Sequence, residues 1–145
     1  MKRLLLALAV AAPAAAQDYR LGALAIAHPV LRVASPVSKT GAGYMTISNK
    51  GRQPDRLVSV TTNAAARSDL HGSLAVGPVM QMRAQAGGVP IPAGGRVVFA
   101  PGGLHVMFIG LKAPVPVGSH VKAQLVFARA GRVEVEFTTQ GFGSP

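Results

Sequence analysis

The chain has no cysteine. That absence excludes disulfides, thiolate metal sites and a cysteine nucleophile, so stability must come from packing. A soft metal could be held only through methionine and histidine. Acidic side chains are scarce too, five against 15 Lys and Arg. Asp18, Asp55, Asp69, Glu134 and Glu136 are scattered and form no pair suited to acid–base work. Aromatics make up only 5% of the residues. With basic residues dispersed rather than clustered, that argues against nucleic acid as a partner. No stretch reaches eighteen or so uninterrupted apolar residues, so no stable membrane span is expected.

What is present begins with Lys2 and Arg3, a short apolar run from Leu4 to Ala12, and Ala14-Ala15-Ala16 before Gln17. This is the pattern of a secretory signal peptide over residues 1–16, with cleavage expected after Ala16 and a periplasmic destination. Removing those 16 of 145 residues leaves 129, one domain of ordinary size. Losing Lys2 and Arg3 lowers the net charge from +10 to +8. Such a surface suits an acidic partner or anionic lipid, or serves solubility alone.

The 17 glycines and 11 prolines punctuate short runs of Val, Ile, Leu, Phe and Thr, and no window holds a helical period. About nine short strands are expected, hence an all-β, antiparallel Greek-key sandwich or barrel over residues 17–139. His28-Pro29 should break the first strand. Asn63 to Ala66 is too short for a helix. Leu104 to Leu111 is apolar on both faces apart from His105, as a central strand would be. The final strand, Arg132 to Thr139, should be half-exposed and antiparallel. Residues 140–145 should form a disordered tail.

The chemistry concentrates between Leu70 and Leu111. His71 and Met82 are separated by ten residues, and His105 and Met107 by one. Alternate strand residues share a face, so His105 and Met107 can present an imidazole nitrogen and a thioether sulfur together. His71 and Met82 fall on an expected hairpin around Gly77-Pro78 and could complete a site of two nitrogens and two sulfurs. Thioethers select Cu(I), and imidazole is a suitable companion ligand. Met80 shares the face of Met82 but reads as a packing neighbour, and Met45 as a core residue. His28 and His120 border turns and should face solvent.

This spacing resembles that of the periplasmic copper chaperones of the PCu(A)C family: His, ten residues, Met, about twenty-one residues, then His-x-Met. Here the second gap holds twenty-two residues, 83 to 104, with the surplus in the turn-rich stretch Ala84 to Pro92. Gly41-Ala42-Gly43-Tyr44, Pro54-Asp55-Arg56-Leu57, Ile91-Pro92-Ala93-Gly94-Gly95 and Pro101-Gly102-Gly103 match as well, over roughly Leu24 to Thr139. The resemblance implies a cupredoxin-like fold and one Cu(I) on His71, Met82, His105 and Met107. It also implies delivery to a copper-accepting oxidase subunit, at the dinuclear centre of cytochrome c oxidase, or to another periplasmic copper protein. A monomer is expected. Many relatives carry Glu where Gly72 stands, and some carry a His/Met-rich C-terminal extension that the ending Gly141-Phe142-Gly143-Ser144-Pro145 lacks.

Other readings are a copper buffer or resistance protein, and a metal-free β-sandwich interaction module. Enzymatic readings find little. Ser68-Asp69-Leu70-His71 has the letters of a catalytic triad, but adjacent strand residues point in opposite directions. Gly-x-Ser-x-Gly is absent. Blue-copper electron transfer needs a cysteine ligand.

Overall fold

A computed structural model describes residues 18–141 of the protein. The expected signal peptide at 1–16 and the end of the expected tail at 142–145 lie outside them. Eleven strands form, in chain order β1 (Asp18–Leu21), β2 (Leu24–Val33), β3 (Thr40–Asn49), β4 (Asp55–Thr61), β5 (Ala65–Val76), β6 (Val79–Ala84), β7 (Val89–Ile91), β8 (Arg96–Phe99), β9 (His105–Leu111), β10 (His120–Phe127) and β11 (Gly131–Gly141). Among the described residues no helix is long and apolar enough to cross a membrane.

The strands form one open sheet in the order β6-β5-β9-β3-β2-β11-β10-β4-β7, with β1 added to β2 and β8 to β3. Eleven strands exceed what an open sheet carries without curling, and this one folds over on itself without closing. Phe108 of β9 meets Phe137 of β11 edge to face, ring centroids 5.4 Å apart. Around them Ile26, Leu31, Ile47, Leu57, Ile91, Val106, Leu125 and Val135 are fully buried. Each such side chain contributes about 1.5–3 kcal/mol relative to exposure. β9 is central, between β5 and β3, as its apolar faces require.

Some elements differ from the sequence reading. His28-Pro29 does not end the first strand: β2 runs through it as a bulge between Ala27 and Val30. His28 takes φ +53°, a region that His tolerates better than most residues. The extra residue switches parity, so Leu24 and Ile26 point inward before it, and Leu31 and Val33 after it. β5 begins at Ala65, inside the Ala-rich stretch. β11 pairs antiparallel with β10 but parallel with β2 from Thr138 to Gly141. The sheet is therefore mixed, and Gln140 and Gly141 belong to a strand, not to a tail. β1, where no strand was expected before Leu21, is tied in by Tyr19, whose hydroxyl accepts the Glu136 N–H at 2.9 Å.

Two family-like text blocks have structural explanations. The Asp55 carboxylate accepts the backbone N–H groups of Arg56, Arg129 and Ala130 at 2.7, 2.9 and 3.0 Å, pinning the β10–β11 turn to β4. Gly43 lies against the Phe108–Phe137 pair. A Cβ there would stand 2.9 Å from Phe108 Cε2 and 3.1 Å from Phe137 Cε1. Gly43→Ala should therefore force the Phe pair apart, costing about 1–3 kcal/mol by overpacking. A thermal melt of the variant should show a clear drop in Tm; an unchanged Tm would mean that the Phe pair yields freely.

Candidate metal centre

The site is set by strand register. In the β5–β9 pair, Leu70 is opposite Val106 and His71 opposite His105. Leu70 and Val106 point into the core. Their neighbours must then point to the other face, so both imidazoles stand there side by side. Their ring centroids are 5.6 Å apart and the planes are at 82°. One ion bound to both rings would need two metal–nitrogen bonds of about 2 Å plus the half-widths of the rings, which this separation accommodates.

The turn before β9 orients His105. Gly103 N–H donates to the Ala100 carbonyl at 3.0 Å, with Pro101 and Gly102 between them. Gly102 adopts φ +82°, as the third position of a type II turn requires. The turn carries the Gly103 carbonyl to 3.1 Å from His105 Nδ1. A carbonyl only accepts, so Nδ1 carries the proton and Nε2 keeps its lone pair. His105 is 7% exposed.

His71 lies in mid-strand, with its side chain 21% exposed. Its Nδ1 is buried and has no hydrogen-bond partner. An orphaned buried nitrogen beside a second imidazole fits a metal donor. Its Nε2 is 3.8 Å from Asp69 Oδ2, and Arg67 Nε holds that same oxygen at 2.9 Å. Asp69 stands on this face beside the candidate donors. It was weighed only as a triad member, although positions 69 and 71 share a face by the same alternation that pairs His105 with Met107. Gly72 faces the other way, where a Cβ would meet Gln85 and Leu104. A carboxylate at 72 would thus not stand on the histidine face, whereas Asp69 does.

Met107 is opposite Asp69, on the histidine face and half-buried. Met82 is opposite Ser73, on the hairpin that the sequence indicated. Val76 pairs with Val79 across Gly77-Pro78, and Gly77 takes φ +59°. Ser73 shares a face with His71, so Met82 does as well. It stands, however, on the far side of His71 from Met107 and is 61% exposed. On a flat lattice with strands about 4.8 Å apart and about 3.4 Å per residue, the two methionine Cα atoms are roughly 17 Å apart. That is beyond the joint reach of two thioethers. The structure thus brings His71, His105 and Met107 together and leaves Met82 at the rim.

Met80 pairs with Ala75, farther still from the histidine row. Met45 is a core residue, 3% exposed. His28 and His120 are exposed, and His120 lies 3.4 Å from the Thr138 hydroxyl on β10–β11. A cavity of about 720 Å³ between Thr62, Val115 and Lys122 contains none of the four candidate ligands. Among the described residues, no three His, Asp or Glu side chains gather as a metal-holding group.

Comparison with known proteins agrees with this architecture. The model of the LpqE-like family matches residues 24–139. A relative named "Putative lipoprotein Lxx21020", from Leifsonia xyli subsp. xyli (strain CTCB07), is 31% identical over 101 residues, or 70% of this chain. The chain spans 61% of that relative's length. Among solved structures, the copper-bound PCuAC domain from PmoF2 is 27% identical with a TM-score of 0.72, covering 86% of this chain and 98% of that domain. The solution structure of CuI-DR1885 from Deinococcus radiodurans is 29% identical with a TM-score of 0.64, covering 88% of this chain and 83% of that one. These domains share the all-β, cupredoxin-like fold. The chain belongs to the LpqE-like family and is of the PCuAC type.

Proposed function

We propose that this protein is an exported Cu(I) carrier that delivers copper to a respiratory oxidase, at the dinuclear centre of cytochrome c oxidase. The observation that carries the copper reading is the His71–His105 pair: two imidazoles in register, one with its free nitrogen fixed and the other with a buried nitrogen lacking any partner. Met107 adds a thioether on the same face. Two neutral nitrogens and soft sulfurs bring no negative charge to the ion, which favours Cu(I) over Cu(II). Relatives solved with copper, the PmoF2 domain and CuI-DR1885, support the same cargo. The lipoprotein family and relative support export; the N-terminal pattern of Lys2, Arg3, an apolar run and Ala14-Ala15-Ala16 supports residues 1–16 as a signal peptide and the periplasm as destination.

Met82 completes the site by movement. β6 is an edge strand bonded to the sheet on one side only, so the β5–β6 hairpin can bend toward the histidines at little cost. A ligand that comes and goes at the rim also suits a carrier, because an acceptor's donor can take its place stepwise. Catalysis plays no part in this reading.

Titration with Cu(I) against a competing chelator should give one ion per chain, with Cu(II) bound much more weakly. Tight Cu(II) binding without sulfur would contradict the assignment. Met107→Leu and Met82→Leu should each keep the fold, since such swaps cost less than about 1.5 kcal/mol. Each should lose at least about tenfold in Cu(I) affinity, about 1.4 kcal/mol. Met45→Leu, His28→Ala and His120→Ala should match the wild type in the same titration. A loss in these three as large as in His105→Ala would mean a different ligand set. For delivery, a deletion strain grown on limiting copper should lose oxidase activity and regain it with added copper; unchanged oxidase activity would favour a buffer.

A further inference from the structure

Asp69 stands two residues before His71 on the same strand face, directly opposite Met107. Its Oδ2 lies between the Arg67 guanidinium and the His71 imidazole, 2.9 Å from Arg67 Nε and 3.8 Å from His71 Nε2. The carboxylate is 31% exposed and the Arg67 side chain 66%. Arg67, Asp69 and His71 are alternate residues of β5, so the backbone alone places all three in line.

A neutral imidazole carries one N–H and one lone pair, and the surroundings decide which nitrogen has which. Were the proton on His71 Nδ1, it would be a buried donor with nothing to receive it. On Nε2 it points toward a carboxylate. The 3.8 Å separation exceeds hydrogen-bond length, so this is an electrostatic preference that a small ring rotation would convert into a bond.

We propose that Asp69, held by Arg67, is the positioning residue that keeps the His71 proton on Nε2 and so frees Nδ1 as the copper donor. The two histidines would then be prepared by different devices. His105 has its proton fixed on Nδ1 by the Gly103 carbonyl and offers Nε2. His71 has its proton fixed on Nε2 by a carboxylate and offers Nδ1. A carboxylate behind a ligating imidazole also raises its basicity and fixes its orientation. Arg67 already engages the carboxylate at 2.9 Å, and oxygen is a poor match for Cu(I) in any case. The proposal rests on the Cu(I) reading for its purpose but not for its first measurement.

The test is long-range proton–nitrogen NMR of the imidazoles in the copper-free protein, followed by Cu(I) titration. Wild type should show His71 protonated on Nε2. Asp69→Asn keeps the shape but removes the charge and adds a donor, so it should shift the His71 proton toward Nδ1. Cu(I) affinity should fall about 10- to 100-fold, with the His105 tautomer and Tm unchanged. Asp69→Glu should restore the wild-type tautomer and most of the affinity. An unchanged tautomer in Asp69→Asn, or a changed tautomer with unchanged affinity, would overturn the proposal. So would an oxygen ligand on copper that disappears in Asp69→Asn, since Asp69 would then be a ligand itself. If the tautomer shifts as described while wild type binds no Cu(I), the copper reading fails and the tautomer device stands.

Discussion

The site depends on one register: His71 opposite His105 across β5 and β9. In an antiparallel pair a slip of one residue would send one imidazole into the core and one of its apolar neighbours out. The core prevents that slip, because a shift of β9 would expel Val106 and Phe108 and a shift of β5 would expel Leu70. Packing therefore enforces the alignment of the donors, although no packing residue touches a metal. β3 backs β9 through Gly41, Ala42 and Gly43, and the missing Cβ of Gly43 leaves room for Phe108 and Phe137. The Pro101-Gly102-Gly103 turn adds the last constraint by placing a carbonyl beside His105.

What was legible in the sequence was what local rules govern. Period-2 alternation gave the shared face of His105 and Met107, and Gly77-Pro78 gave the hairpin bearing His71 and Met82. The apolar run of β9 gave its central place. Long-range pairing was not legible. Nothing local says that β5 lies beside β9, and it is this neighbour relation that joins His71 to His105. The parallel contact of β11 with β2 is likewise a consequence of how the sheet folds over. His28-Pro29 looked like a strand end because Pro lacks an N–H and constrains its predecessor. The chain instead absorbs both residues in a bulge, with His28 left-handed. Asp69 went unrecognised because its role depends on geometry around His71, even though its alternate spacing was in plain view.

The candidate donors grade from buried to exposed. His105 is buried and hydrogen-bonded, His71 is mostly buried and faces a carboxylate, Met107 is half-buried, and Met82 is largely exposed on an edge strand. In the proposed site, buried donors at one side and an exposed one at the other would give an ion a defined seat and an open approach. Scarce acidic residues leave the protein strongly cationic. Asp69 is thus a rare negative charge placed next to the donors, and Arg67 partly offsets it.

The most direct test of the central claim is X-ray absorption at the copper edge of the Cu(I)-loaded protein, with His71→Ala and His105→Ala measured alongside. The account predicts a mixed shell of two imidazole nitrogens and two thioether sulfurs, with one imidazole lost in each variant. A shell of sulfur alone, or imidazole scattering unchanged by either substitution, would contradict it.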